Sequence, residues 1–498
     1  MRHAVRMGED VGARTFTRED RQHYREKVHR CLDVLARMLT ESRFDFDTPL
    51  TGMEVELNLV DDAGDPCLRN SEVLELIDDP AFVQELGQFN LEINVPPRNL
   101  RGDGVARYET EVRDQLNAAE KVANELGAHM VMIGILPTLF DEHMTPESLS
   151  SNPRYALLDQ QLLLARGEDL LIDIRGGPEQ LERTSDSIIP EAACTSLQFH
   201  LQVSPDEFAE HWNAAQCLAA VQVGLGANSP FFLGRHLWSE TRIALFTQSA
   251  DTRPAELKAQ GVRPRVWFGE RWITSVFDLF EENTNYFPAL LPVLDDEDPV
   301  EVFEAGGVPA LHELRLHNGT VWRGNRPVYD IQDGRPHLRV ENRVLPAGPT
   351  VVDMLANGAL YFGALKMLAG QERPVWSQMS FATAEENFDA AAMLGIDASV
   401  FWPGAGEVPV TELVLRRLLP LAHEGLREWG VDDDIRERLL GVIEGRCTSG
   451  RNGATWQGDT VRRFEATGLS REQSLRRMTQ EYVVRMHTNE PVHTWDDV

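Results

Sequence analysis

The first chemically suggestive feature of the sequence is a pair of carboxylates in a short alternating segment. In residues 50–60, LTGMEVELNLV, apolar residues alternate with Glu54, Glu56 and Asn58. A period of two predicts a strand with one face in the core. The other face carries two like charges about 7 Å apart, which repel each other. A divalent cation would remove that repulsion because hard cations prefer carboxylate oxygens; a solvated polar face is the alternative interpretation.

Four further segments alternate in the same way and predict four more strands with one polar face each. They are residues 88–95, 195–203, 312–317 and 337–345. Their ionisable residues include Glu92, His200, Arg315, Arg339, Glu341 and Arg343. If the strands share a sheet, these residues merge into one surface. Carboxylates and imidazole suit cations and guanidinium groups suit phosphate oxygens, so the surface suits a metal-bound polyphosphate.

Each of these residues also has a purely structural interpretation. His200 stands between two glutamines and could be a hydrogen-bonded core histidine. Arg339 and Arg343 could form an ion network with Glu341 across the sheet, and Arg315 could pair with Glu313 in its own segment.

A second group of residues lies beside turns and helix starts. Arg154 follows Asn152-Pro153, a helix-opening pair, and Asn228 lies in the breaker cluster 226–230. Trp322, Arg323 and Arg326 follow the turn His317-Asn318-Gly319. The arginines could hold a substrate carboxylate or nucleotide phosphates, whereas Asn228 could serve only as a helix cap and Arg154 could be structural.

Composition excludes several classes of function. The chain has 498 residues, 42% of them hydrophobic, and a formal net charge of −31. So acidic a surface disfavours nucleic acids and anionic membranes as partners. The five cysteines form no CxxC, which argues for a reducing compartment and against structural zinc. No P-loop motif and no signal peptide are present. We therefore expect a cytoplasmic protein that acts on small molecules.

The remaining patterns predict an α+β fold with one large, largely antiparallel sheet and helices behind its apolar face. Helical spacing occurs at 18–41, 108–127, 153–166, 205–226 and 235–248, and a buried strand is predicted at 129–136. Helices dominate from 350 onward, at 350–370, 383–394, 410–428, 433–445 and 470–486. Polar residues interrupt the apolar segment 351–370, so we predict a buried helix rather than a membrane span. Residues 447–457 are Gly-rich and predict a surface loop or a lid.

Seven segments, in order, resemble the bacterial glutamate–cysteine ligase and carboxylate–amine ligase family, within the glutamine-synthetase-like superfamily. They are GMEVELNLV, FNLEINVPP, NPRYALLDQ, LQFHLQV, GANSPFFLG, TVWRGNRP and HLRVENRVLPAGPT. The resemblance covers residues 50–360, and NGATWQ extends it to about 460. We accordingly divide the chain into a loosely ordered N-terminus (1–16), a catalytic domain (17–460) and a helical C-terminal extension (461–498).

The resemblance implies an ATP-dependent ligase whose site lines the concave face of a curved antiparallel sheet. Such an enzyme phosphorylates a carboxylate, usually the γ-carboxylate of glutamate, and an amine such as that of cysteine then attacks the acyl phosphate. It implies Mg²⁺ ligands at Glu54, Glu56, Glu92, His200 and Glu341. Catalytic roles fall to Arg339, Arg343 and Arg315, and substrate or nucleotide binding to Arg154, Asn228, Trp322, Arg323 and Arg326.

Three alternatives remain open at this stage. The enzyme could use another amine or another acid, and no residue separates this from cysteine ligation in a glutathione-type pathway. A non-catalytic nucleotide-binding homologue is disfavoured because every predicted ligand is present. A metal-dependent hydrolase is disfavoured by the paired arginines.

Overall fold

The computed structural model describes residues 15–44, 46 and 49–497. Most of the N-terminal segment predicted to be loosely ordered therefore lies outside the described residues. The strands are β1 (Thr51–Val60), β2 (Phe82–Gln84), β3 (Asn90–Arg98), β4 (His129–Val131), β5 (Leu170–Ile174), β6 (Leu181–Ser185), β7 (Ser196–Gln202), β8 (Phe231–Phe232), β9 (Arg235–His236), β10 (Val266–Trp267), β11 (Trp322–Arg323), β12 (Asn325–Gln332), β13 (Arg335–Pro346), β14 (Ser399–Trp402) and β15 (Gly406–Pro409).

The helices of the first two thirds of the chain are α1 (Arg18–Thr40), α2 (Asn70–Ile77), α3 (Gly104–Ala123), α4 (Pro153–Arg166), α5 (Ile189–Ala192), α6 (Phe208–Gly226), α7 (Thr241–Ser249), α8 (Ala255–Ala259), α9 (Val276–Tyr286), α10 (Pro299–Glu304) and α11 (His312–Asn318). Those of the last third are α12 (Val351–Ala369), α13 (Phe381–Leu394), α14 (Val410–Leu413), α15 (Leu419–Glu428), α16 (Asp433–Ser449), α17 (Gly453–Ala466) and α18 (Arg471–Thr488). A π-helical turn, Val414–Leu418, joins α14 to α15.

The centre of the fold is one seven-stranded sheet in the order β12-β13-β7-β1-β3-β2, with β4 also paired to β1. Every pairing in it is antiparallel. The predicted α+β class is therefore confirmed, as is the curved antiparallel sheet that the resemblance implies. Four of the five segments with alternating polarity form central strands of this sheet.

The register of the strands brings the polar residues onto one face. Glu56 lies opposite Glu92 on β3, and Glu341 lies opposite both His200 on β7 and Arg326 on β12. Directly opposed residues of an antiparallel pair project to the same side of the sheet. One face therefore collects carboxylates, imidazole and guanidinium groups, while the alternate residues enter the core.

The opposite face of the sheet packs against helices α6 and α12. The Phe199 ring of β7 lies 5.4 Å from the ring of Phe362 on α12. Helix α12 is long and apolar enough to cross a membrane, yet 89% of its apolar window is buried inside the protein. Its polar residues Asp353 and Asn357 bind Arg446 of α16 at 2.9 and 2.6 Å. The prediction of a buried core helix is confirmed.

Residues 312–317, predicted as a fifth strand, instead form helix α11. Glu313, Leu314, His317 and Asn318 are buried, a spacing of three to four residues that belongs to a helix. In so short a segment, two leucines two residues apart do not distinguish a strand from a helix, so the sequence could not decide between them.

Two other boundaries differ from the predictions. Residues 235–240 precede α7 and contain β9, so the helix predicted from 235 begins only at Thr241. The strand predicted over 129–136 is regular only over β4, because residues 132–136 are buried without regular pairing.

The predicted Gly-rich loop or lid at 447–457 is wrong. Helix α16 continues to Ser449 and α17 begins at Gly453, with a turn at Gly450 in the left-handed region. Asn452 caps α17 through its side chain.

Helix α17 also crosses the predicted domain boundary at residue 460, and Tyr482 of α18 donates to Met132 O at 2.7 Å. The C-terminal helices therefore pack directly on the catalytic part.

Helices α12 and α15 approach each other at two glycines, which gives a test of the packing. A Cβ at Gly425 would overlap the carbonyl oxygen of Gly363, so Gly425→Ala must force the helices apart. We expect a loss of about 2–3 kcal/mol in the free energy of unfolding, measured by urea denaturation. The matched control is Gly441→Ala on exposed α16, where a Cβ meets nothing within 4 Å. This control should gain about 0.5–1 kcal/mol from helix propensity. Equal effects in the two variants would contradict the close packing.

Candidate active site

The polar face of the sheet lines a single large cavity of about 1910 Å³. The sheet contributes residues of β1, β3, β7, β12 and β13, and the surrounding wall comes from α4, α5, α7, α11, β10 and β11. Among the predicted site residues on the sheet, seven line it: Glu54, Glu56, Glu92, His200, Arg326, Arg339 and Arg343. The sheet therefore brings together most of the residues that the alternating pattern selected.

Three predicted metal ligands stand side by side on β1 and β3, all buried. Glu56 accepts hydrogen bonds from Ser196 N (2.5 Å), Ser196 Oγ (2.9 Å) and Gln198 Nε2 (3.1 Å). Glu92 accepts one from Asn94 Nδ2 at 2.8 Å. Glu54 Oε1 lies 3.0 Å from His200 Nε2, but neither this nitrogen nor Glu54 Oε2 makes a hydrogen bond with another described residue. The acidic group is thus only partly neutralised by the protein.

Two more carboxylates, Glu85 and Glu191, extend this acidic group and were not predicted. Glu85 lies in the connection between β2 and β3, and Glu191 lies on α5. Burial raises the pKa of each to about 8, and the neighbouring charge of Glu56 contributes in both cases. Burial and the charge of Glu54 also raise the pKa of Glu92 well above its usual range. Because neither segment alternates, no pattern in the sequence marks Glu85 or Glu191.

Glu341 has the opposite environment. Arg326 forms a two-pronged bond to it, with Nε and a terminal nitrogen each 2.9 Å from one oxygen, and Arg343 binds at 3.2 Å. Burial alone would raise the pKa of Glu341, but Arg326 and Arg343 outweigh it and hold that pKa far below its usual range. Both oxygens are therefore committed to arginines, which matches the ion-network interpretation for Arg343 but not for Arg339, since Arg326 takes that place. A metal-ligand role for Glu341 stays a prediction.

The third group of charges is centred on Asp330 of β12, which was not predicted. Asp330 accepts from Arg315 at 2.8 Å and from Arg339 at 3.0 Å. Arg339 also donates from Nε to His200 Nδ1 at 3.2 Å. Although Arg315 comes from a helix and not a strand, it still reaches the cavity. Asp330 thus orients two of the three predicted catalytic arginines, Arg315 and Arg339.

The residues present fit a magnesium site, although they are not yet arranged as one. Within residues 15–44, 46 and 49–497, no three His, Cys, Asp or Glu side chains are gathered closely enough to hold a metal as they stand. However, Glu54 Oε2 is a buried carboxylate oxygen with no hydrogen-bond partner among the described residues, and the charge of Glu54 acts on carboxyl groups whose pKa is raised. Mg²⁺ prefers carboxylate oxygens and would offset their repulsion. The ligand assignments stay predictions.

The structure separates the second group of predicted residues. Arg154 and Trp322 line the cavity. Arg323 is in the wall, but its side chain is fully buried and binds Glu282 and Asn283 at 3.0 Å. Asn228 does not line the cavity, because its Nδ2 binds Ala347 O at 2.8 Å and Tyr482 Oη at 2.9 Å. Asn228 and Arg323 are thus bound within the protein, as Arg326 is by Glu341, and the binding roles predicted for this group stay predictions.

Comparison with known proteins identifies similar families and folds. The model of glutamate–cysteine ligase family 2 matches residues 50–481. A glutamate–cysteine ligase from Francisella tularensis, solved in complex with AMP, is similar in fold, with a TM-score of 0.52 and 11% identity over 90% of this chain and 93% of that one. A bifunctional glutathione synthetase from Pasteurella multocida has a TM-score of 0.46 and 12% identity over 92% of this chain and 55% of that one. No curated protein matches the sequence.

The raised pKa values predict how stability depends on pH. Glu85 and Glu191 have a pKa of about 8 in the folded protein, against about 4.5 in the unfolded chain. Between these values the unfolded chain releases protons that the folded protein keeps, so the free energy of unfolding contributed by these groups falls as pH rises. We expect Glu85→Gln to flatten this fall between pH 5 and 8 in magnesium-free urea denaturation.

The matched control for that experiment is Glu182→Gln, an exposed carboxylate paired with Arg175 at 2.9 Å outside the cavity. It should leave the slope against pH unchanged. An identical slope in the wild type and Glu85→Gln would contradict the raised pKa. Mg²⁺ should stabilise the wild type more at pH 8 than at pH 5.5, because it binds the ionised carboxylates.

Proposed function

Because the chain belongs to glutamate–cysteine ligase family 2 and is a carboxylate–amine ligase, we propose that it joins the γ-carboxylate of glutamate to the amine of cysteine. ATP and Mg²⁺ would drive the reaction through an acyl phosphate, in the cytoplasm. The observation that supports this proposal is the juxtaposition of partly neutralised carboxylates with arginines on one wall of the cavity.

The chemistry explains why both charges are needed. A carboxylate is a poor acyl donor until one of its oxygens becomes a leaving group, and a phosphoryl group makes it one. Phosphoryl transfer needs positioning and neutralisation of negative charge more than covalent help. Magnesium at Glu54, Glu56 and Glu92 would bind the polyphosphate, and it would supply part of the neutralisation.

The arginines would supply the rest. Arg339 lies between Asp330 and His200, and Arg343 lies beside Glu341, so each guanidinium is held in one orientation by a protein partner. Burial lowers the pKa of Arg343, but the charges of Glu341, Glu56, Glu54 and Glu92 outweigh it, so the pKa is raised. Arg343 therefore stays protonated beside the acidic group and available to phosphate oxygens.

Glu54→Gln tests the metal assignment. The variant removes one charge from a repulsive group and keeps the shape of the side chain, so the thermal midpoint should change little. Magnesium-dependent ATP consumption should fall by more than about 100-fold, because a hard cation loses an anionic ligand. Glu182→Gln serves as the control. Normal turnover by Glu54→Gln at limiting magnesium would contradict the assignment.

The proposed reaction is tested directly by its products. The enzyme is incubated with Mg-ATP, glutamate and single amines, including cysteine, and the products are identified by mass spectrometry. Glutamate alone should support little ATP hydrolysis, because the acyl phosphate is shielded from water. Cysteine should release ADP and phosphate in step with γ-glutamylcysteine. A product with another amine but not with cysteine would reassign the acceptor, and no product with any acid–amine pair would contradict the ligase activity.

A further inference from the structure

Two half-buried ionisable side chains in the cavity wall, Arg154 on α4 and Glu191 on α5, have no partner among the described residues. Of the described residues, none forms a hydrogen bond or an ion pair with the Arg154 guanidinium; only its backbone N–H is bound, by Asn152 Oδ1 at 2.9 Å. The Glu191 carboxylate also has no such partner within the described part of the chain, and both residues line the cavity. By contrast, most other arginines around the cavity are bound to carboxylates.

The two residues are fixed on one side of the acidic group by contacts of their own elements. Tyr155 Oη donates to Gln84 O at 3.0 Å, which joins the first turn of α4 to the segment that carries Glu85. Asp159 of α4 accepts from Ile188 N at 2.8 Å, which joins the same helix to the start of α5. The Tyr155 hydroxyl lies among these groups. Its pKa is raised first by burial and then by Glu85, Glu92 and Glu191, while Arg154 lowers it.

A guanidinium and a carboxyl group on one wall, each without a partner among the described residues, match the charge pattern of an amino acid, because a ligand's ammonium group beside Glu191 would favour its ionised form. The α-carboxylate of a zwitterion needs a guanidinium or similar donor, and its ammonium group needs a carboxylate. If Arg154 and Glu191 paired with each other, neither charge would remain for a ligand. No such ion pair joins them among the described residues, so a ligand in the cavity can supply both counter-charges.

Resting on the proposed function, we propose that Arg154 and Glu191 bind the carboxylate and the ammonium group of an α-amino-acid substrate. The wall that carries them adjoins Glu56 and Arg343, since both charges act on Glu191. An amino acid held there by its zwitterionic end therefore extends its remaining atoms toward the acidic face. This end belongs either to the acid that is activated or to the amino acid that attacks.

Pairs of substrates that differ by one charged group test this subsite. For the donor, 4-aminobutyrate lacks the α-carboxylate of glutamate and glutarate lacks its α-ammonium group. For the acceptor, cysteamine lacks the carboxylate of cysteine. The specificity constant kcat/KM is measured for each member with the wild type, Arg154→Gln and Glu191→Gln, and binding of glutamate and of cysteine is measured by calorimetry.

If the donor occupies the subsite, Arg154→Gln lowers kcat/KM for glutamate by about 10- to 100-fold, the effect of one charged hydrogen bond, and leaves that for 4-aminobutyrate unchanged. Glu191→Gln then lowers kcat/KM for glutamate by a similar factor and leaves that for glutarate unchanged. If the acceptor occupies it, Arg154→Gln removes the preference for cysteine over cysteamine instead. Either pattern supports the subsite and identifies its occupant.

The controls are Arg235→Gln and Glu182→Gln, which change exposed charges away from the cavity and should preserve every preference. Thermal midpoints establish that all four variants are folded. Equal losses of kcat/KM for all substrates, or unchanged preferences within every substrate pair, would overturn the subsite while the ligase activity stands. Failure of the wild type to form any product would overturn the proposed function instead.

Discussion

The fold depends on a balance of charge on one face of the central sheet. Five carboxyl groups, Glu54, Glu56, Glu85, Glu92 and Glu191, lie together on this side of the cavity. Burial, and then the charges of neighbouring carboxylates, raises the pKa of Glu85, Glu92 and Glu191. Taking charges out of water and placing them beside like charges are both unfavourable. The apolar residues on the other face of the same strands compensate, because they are buried against α6 and α12.

The protein neutralises this face unevenly, and the unevenness has a chemical meaning. Glu341 is fully bound by Arg326 and Arg343, and Asp330 by Arg315 and Arg339. The group around Glu54 receives mostly neutral donors and keeps an oxygen without a partner. On one side of the face the protein supplies arginines as counter-charges, and on the other side the carboxyl groups remain open to a ligand. The proposed metal-bound polyphosphate would use both sides.

Rigid support surrounds the cavity on the side away from the ligand. Helix α12 carries Asp353 and Asn357 to Arg446, and Asn228 joins the C-terminal helix α18 to the end of β13 through Tyr482 and Ala347. These buried polar contacts connect the last helices to α12 and to the sheet. The C-terminal helices therefore help to fix the sheet whose other face carries the site, which is the kind of support that a preorganised active site requires.

The sequence by itself determined the four central strands, the side of each that faces the site, and most of the charged residues there. A period of two is a local property, and it needs no knowledge of which strands pair. Only the tertiary structure decided which charges meet. Glu85, Glu191 and Asp330 join the site through connections and pairings that no local period encodes. Arg323 is held within the cavity wall by Glu282, and Asn228 is held outside the cavity by Tyr482; both partners are far away in sequence. The helix at 312–318 likewise follows from which residues are buried, and burial is a property of the whole fold.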